Sequence, residues 1–276
     1  MKTGNTSIRI GTSGYSFKDW LGTFYPPRLS PSRMLHFYAS VFDTVELNFT
    51  YYRMPVVRTI ESINGRTPEH FRFFVKAHQS FTHGRDLAAR DVFLDGLTPM
   101  RESGKLAGIL FQFPQSFKNN YKNRAYLSKI ADNFPEYSPS VEFRDRSWDS
   151  PPVYEFLEKN ALSFVSVDEP QTSTLFPRKA LATTDTGYVR FHSRNPDNWY
   201  KDSSKRYDYL YSENQLREWL PMIKEMTGKT RNIFVYFNNC HQGQAVRNAR
   251  QIKALLESDG SPGNGTCQEG SDKPRR

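Results

Sequence analysis

The sequence predicts a single (β/α)8 barrel of the α/β class, on three observations. Strand-like runs recur eight times, most of them separated by stretches with helical spacing. A barrel of this kind fills about 250 residues as one domain, and the chain has 276. The rival architecture, a doubly wound open sheet, would carry a glycine-rich phosphate loop after its first strand. Gly11-Thr12-Ser13-Gly14-Tyr15 does not make one.

Taken in order, Ile8 to Ser13 alternates as a short strand and stops at Gly14, before an aromatic loop from Tyr15 to Tyr25. Pro26, Pro27 and Pro31 break the chain ahead of a helix from Ser32 to Val41, in which Leu35, Tyr38 and Ala39 recur at helical spacing. The second strand, Val45 to Asn48, puts Val45 and Leu47 on one face and Glu46 and Asn48 on the other, then runs into the aromatic-basic loop Tyr51-Tyr52-Arg53 closed by Pro55. Burying an acid and an amide at a strand end costs several kcal/mol if they stay unpaired, so this end reads as one wall of a site. A polar helix after Pro55 ends near Gly65. The third strand is Phe71 to Lys76, with His78 and His83 in the loop that follows. A helix from Asp91 to Ser103 leads to strand four, Leu106 to Phe113, stopped by Pro114. A helix from Tyr121 to Asn133 precedes strand five, Ser140 to Phe143, and a helix from Val153 to Lys159 precedes strand six, Leu162 to Asp168. Strand seven is Gly187 to His192. A long polar loop with Trp199, Tyr200, Tyr207 and Tyr209 leads to a helix from Glu213 to Met226, strand eight from Asn232 to Phe237, and a last helix from Gln244 to Leu256. Residues 1–257 thus form one domain. The Gly/Ser/Pro-rich, charged segment 258–276 lacks core-forming residues and is expected to be a disordered tail.

Composition narrows the partners. A formal net charge of +9 favours polyanions, nucleic acid or phosphorylated small molecules, although lysines and arginines also serve simply as solvated surface. Only Cys240 and Cys267 are present, which rules out a disulfide framework and Cys-based zinc spacing. No apolar run is long enough to span a membrane, and the polar start, Met1 to Ser7, does not read as a signal peptide, so the expected location is cytoplasmic.

In such a barrel the carboxyl ends of the strands line the active site. Those ends offer Ser13, Glu46 and Asn48, Lys76 and His78, Gln112, Glu142 and Arg144, Asp168, Arg190 and His192, and Asn238 with Asn239. A period of two keeps Glu142 with Arg144, and Arg190 with His192, on the inner face. Lys76, Arg144, Arg190 and Arg53 are candidate phosphate ligands, with Asn48, Tyr52, Gln112, Asn238 and Asn239 completing the binding set. Glu46, Glu142, Asp168 and His192 are the candidate acid–base residues. Their oxygen and nitrogen atoms could also take a divalent metal as cofactor, but no short diagnostic spacing assigns metal ligands. An Arg–Glu pair is equally a way to close a barrel interior, so Glu142 with Arg190 has a structural reading beside the catalytic one. Lys76 could form a Schiff base, although anion binding is the plainer role. The loop aromatics either pack as a lid, as expected for Trp20 and Trp148, or stack on unpaired bases.

These segments together resemble the DUF72, or YecE-like, family. The resemblance rests on Gly11 to Tyr15 with Trp20 and Phe24-Tyr25-Pro26, Phe42 to Asn48 with Tyr51-Tyr52-Arg53, Phe73 to Lys76, and Phe111-Gln112-Phe113-Pro114. It continues through Val141 to Arg144 with Trp148, Val167-Asp168, Tyr188 to His192, and Val235 to Asn239 with Ala245 to Ala249. It implies a TIM-barrel fold without fixing a reaction. The family's barrel is similar to that of endonuclease IV, a metal-dependent abasic-site nuclease, and that likeness implies DNA as a ligand. That enzyme's set of histidine metal ligands does not reappear here, where the mouth offers chiefly His192. The expected function is therefore binding of a phosphate-containing ligand, nucleic acid first, with phosphodiester hydrolysis as its chemistry. The alternatives are a non-catalytic DNA- or RNA-binding protein and a sugar-phosphate isomerase or lyase.

Overall fold

A computed structural model describes residues 1–201 and 205–259. Among the described residues nine strands form one sheet: β1 (Lys2–Thr3), β2 (Thr6–Thr12), β3 (Thr44–Leu47), β4 (Arg72–Lys76), β5 (Leu106–Gln112), β6 (Pro139–Glu142), β7 (Ser163–Asp168), β8 (Thr186–Phe191) and β9 (Asn232–Phe237). Their order is β1-β2-β9-β8-β7-β6-β5-β4-β3, with every pairing parallel except the short β1–β2 hairpin. Pro31 opens α1 (Pro31–Ala39), where its missing N–H costs nothing, and Asn120 caps α4 (Tyr121–Asn133) by accepting from the Asn123 N–H. The other helices are α2 (Val57–Asn64), α3 (Arg90–Glu102), α5 (Pro151–Lys159), α6 (Pro196–Lys201), α7 (Glu213–Arg217), α8 (Trp219–Thr227) and α9 (Gln244–Asp259).

The sheet curls until its ends meet. Gly14 N–H donates to the Glu46 carbonyl at 2.8 Å, and a single parallel bridge joins Ser13 to Glu46. Gly11 lets this seam close, because a Cβ there would lie 2.3 Å from the Thr44 carbonyl oxygen. Inside the curl, Thr44 Oγ1 lies 2.5 Å from Tyr236 Oη, and the Phe74 ring packs on Tyr188, Phe234 and Tyr236. Outside it, Phe73, Val75, Phe191 and Phe237 pack towards the helices in one continuous core.

The predicted α/β class is therefore present, while the complete eightfold barrel is met only in part. The β2–β3 seam has one bridge instead of a ladder, and residues 169–185, between β7 and β8, contain no helix. The expected helix from Glu213 to Met226 is two. Pro221 has no N–H to bond the Arg217 carbonyl, so the ladder breaks between α7 and α8 although Glu218 keeps helical angles. The expected loop after β8 contains α6, opened by Pro196. The last helix also runs three residues past the expected Leu256, through Ser258 and Asp259; the rest of the expected tail, 260–276, lies outside the described residues. No described helix is long and apolar enough to cross a membrane.

Candidate functional site

At the carboxyl ends of the strands a chain of buried charges crosses the interior. Arg190 at the end of β8 donates through Nη2 to Glu46 Oε1 of β3 at 2.7 Å and through Nη1 to Glu142 Oε2 of β6 at 2.5 Å. The Tyr188 hydroxyl donates to the other Glu46 oxygen at 2.5 Å. Glu142 Oε1 lies 2.6 Å from Arg144 Nη2 and 3.3 Å from His192 Nε2, and Arg144 Nη1 donates to Glu169 Oε2 at 2.6 Å. Glu46, Glu142, Glu169 and His192 are fully buried, and Arg190 nearly so.

Each titration follows from this packing. Burial alone would raise the Glu142 pKa, but Arg144, Arg190 and His192 hold it well below the usual carboxylate range. Burial and the neighbouring Arg144 cation push His192 down to about 3, so its imidazole is neutral. Glu169 goes the other way: burial, reinforced by Glu142 and only partly offset by Arg144, lifts it to about 7.

Above this floor lie two clefts that share Tyr207, whose ring centroid is 5.9 Å from that of His192. One, of about 570 Å³, is cationic and aromatic. Lys76, Arg144 and Arg206 line it together with Tyr51, Tyr52, Trp199, Tyr200 and Tyr207. Lys76 Nζ donates to Gln112 Oε1 at 2.8 Å and sits 4.4 Å from the Tyr51 ring centroid. Burial, with Arg190 nearby, lowers its pKa from 10.5 to about 8. Both the Arg144 and the Arg206 guanidinium lie over the Trp199 ring, at 5.3 and 5.6 Å from its centroid. The other cleft, of about 510 Å³, takes Ser13, Asn48 and Asn238 from strand ends and Tyr15, Phe17 and Phe49 from loops.

The structure sorts the expected residues. Glu46, Glu142, Arg144, Arg190 and His192 form the floor; Lys76, Gln112, Arg144 and Tyr52 line the cationic cleft; Asn48 and Asn238 line the second. Arg53 is exposed on the loop after β3 and lines neither cleft.

Asp168 and Asn239 do not belong to this mouth. The register pairs Val165 with Tyr188, Val167 with Arg190 and Asp168 with Phe191, so Asp168 shares the outer face with Phe191. There it accepts from Trp219 Nε1 at 2.6 Å and from both Nε and Nη2 of Arg194. Asn239 likewise turns outward and donates to Asn248 Oδ1 on α9 at 2.9 Å and to the Tyr209 carbonyl. The same period of two that removes Asp168 brings in Glu169, which follows Val165 and Val167 on the inner face; the sequence signal for it was that alternation, carried one residue past the strand. Arg206 was signalled only by its place in the basic-aromatic run around Tyr207. Trp20 and Trp148 are fully buried, as expected of lid-core residues.

A divalent metal fits this floor poorly. Every carboxylate in it is already directed at a guanidinium, and among the described residues no three His, Cys, Asp or Glu side chains are grouped to hold a metal ion. Cys240 and His241 do not form a nucleophilic pair. The Cys240 thiol approaches the Ser13 carbonyl at 3.3 Å and burial pushes its pKa up, while His241 Nε2 faces Asp208 at 3.7 Å.

Comparison with known proteins agrees with the sequence resemblance. Residues 9–270 match the family described as "Protein of unknown function DUF72". The chain is 36% identical over 270 residues to the UPF0759 protein YunF of Bacillus subtilis (strain 168), covering 91% of this chain and 95% of that one. A crystal structure of a DUF72 family protein (TM1631) from Thermotoga maritima MSB8 superposes with a TM-score of 0.85 at 42% identity, over 91% of this chain and 99% of that one. A DUF72 family protein (EF0366) from Enterococcus faecalis V583 superposes with a TM-score of 0.81 at 28% identity, over 91% and 95% of the two chains.

Proposed function

We propose, from the premise that this chain belongs to the DUF72 family, that it binds a phosphate-containing ligand, with nucleic acid favoured, at the carboxyl-end mouth of its curled sheet. In this reading the fold is a (β/α)8 barrel with a weakly laced β2–β3 seam. One observation carries the assignment: Lys76, Arg144 and Arg206 line a single cleft with five aromatic side chains, and no carboxylate lines it among the described residues. Guanidinium groups bind phosphate oxygens in pairs, the ammonium adds a point charge, and the rings offer surfaces on which unpaired bases stack for about 1–3 kcal/mol each. The carboxylates beneath hold Arg144 and Arg190 in fixed positions. That favours a preformed anion site over the acid–base roles expected of Glu46, Glu142 and His192.

Fluorescence anisotropy with intact duplex, duplex carrying one abasic site, and single-stranded DNA tests the reading at two salt concentrations, with the end points run on a denaturing gel. Tight binding to the lesion or the single strand that survives the higher salt supports it, and strand cleavage would make the protein a phosphodiester hydrolase. Equal binding to all three that vanishes with salt would reduce the charge to a generic surface property.

A second reading has its own observation. The Lys76 pKa of about 8 leaves a share of neutral amine at physiological pH, and an amine can add to a carbonyl and lose water to form an imine. This is the sugar-phosphate lyase alternative, and trapping with borohydride and a phosphorylated aldehyde tests it by mass.

A further inference from the structure

The cleft on the other side of Tyr207 differs chemically from the cationic one. No lysine or arginine lines it among the described residues, and its Asp19 and His241 side chains already have partners: Asp19 Oδ2 accepts from the Gln242 N–H at 2.7 Å and His241 faces Asp208. Tyr15, Phe17 and Phe49 supply flat apolar walls. Two of the residues that line it carry a buried, unbonded polar atom, Ser13 Oγ and Asn48 Oδ1, and Ser13 is only 2% exposed. Interior polar groups are almost always paired, because leaving one dry and unpaired is costly. Two such atoms on residues that line one cavity mark a place where something else completes the hydrogen bonds.

We infer that this cleft is the pocket for an uncharged, hydrogen-bonding planar ring, a nucleobase, attached to the phosphate held across Tyr207 by Lys76, Arg144 and Arg206. The inference rests on the phosphate reading above and makes its ligand a nucleotide unit turned out of any duplex. A volume of about 510 Å³ accommodates a base with room for its sugar. The Asn48 amide can meet a base edge that presents both donor and acceptor, as amide side chains do with adenine, and Ser13 can give or take one further hydrogen bond. A bare phosphate has no counter-charge here, so the two clefts divide the ligand into an anionic half and a neutral half.

The test uses the full chain and two fluorescein-labelled probes, a three-unit thymidine strand and a three-unit strand of tetrahydrofuran phosphates that has the same charge and no bases. The wild type is expected to bind the base-bearing strand at least tenfold more tightly. Asn48→Leu and Ser13→Ala should each reduce that preference several-fold while leaving affinity for the baseless strand unchanged. Ser13→Ala also removes an unpaired buried hydroxyl, so its melting temperature in the free protein should not fall. Equal binding of the two strands by the wild type, or a preference untouched by both substitutions, overturns the base pocket and leaves the phosphate site standing. If neither strand binds, both readings fall together.

Discussion

Arg190 and Glu46 meet at 2.7 Å across the interior of the curled sheet, joining β8 to β3 although neither β-strand pairs with the other. With Glu142 on the second amino group, one guanidinium bridges two carboxylates that are wholly cut off from water, and Arg144 supplies Glu142 with a second cation. Burial alone would lower the Arg190 pKa, but Glu142 and Glu46 hold it well above its usual value.

Arg190→Met should therefore lower stability by about 3–5 kcal/mol, because it leaves buried Glu46 with only the Tyr188 hydroxyl and takes one of two guanidinium partners from Glu142, whereas Glu46→Gln keeps a hydrogen-bonding group and should cost less. Urea denaturation of the two variants measures the difference. A Glu46→Gln protein of near-normal stability that had lost a measurable turnover would return Glu46 to a catalytic role.

Ligand affinity should depend on the Lys76 proton. The ammonium is present below its pKa of about 8 and is lost as pH rises through that value. Binding of a phosphate ligand should weaken by up to about tenfold between pH 7 and pH 9, and Lys76→Arg, which stays charged, should flatten the profile. A wild-type profile flat across this range would show that Lys76 contributes no charge to the site.

Stability below neutrality sets two buried groups against each other. His192 is depressed from 6.5 to about 3, so the unfolded chain takes up a proton that the folded chain refuses, and stability is lost as pH falls from 6.5 towards 3. Glu169 is raised from 4.5 to about 7, so its contribution is present below 4.5 and is lost as pH rises through 7. Between 4.5 and 6.5 the two slopes oppose. Glu169→Gln removes one of them, and its melting temperature should then climb with pH across that window more steeply than the wild type's. Parallel curves for the two proteins would contradict this assignment.

Gly11→Ala should destabilise by about 1–3 kcal/mol or more, the usual cost of overpacking, since its methyl group would collide with the Thr44 carbonyl at the β2–β3 seam. The loss should appear as faster amide exchange at Gly14, whose N–H crosses that seam to Glu46. Unchanged exchange would mean that the seam does not depend on close approach at Gly11.

Much of this was legible in the chain itself. Alternation within short runs located all eight parallel strands to within two residues, since side-chain period is a local property of the backbone. It also gathered Glu46, Glu142, Arg144, Arg190 and His192 on inner faces, where they do meet. What alternation left open was phase at the ends. Asp168 and Asn239 lie one residue out of step with the mouth, and the pairing of β7 and β9 with β8 decides which way they face. Partner choice was also beyond the sequence: acids separated from their arginines by as many as 144 positions become neighbours only when the sheet curls. Residue types fix which charges must be neutralised once buried. Tertiary structure alone decided that Arg144 and Arg190 neutralise them, and that Lys76 and Arg206, beside Arg144, line a cleft with no carboxylate of its own among the described residues.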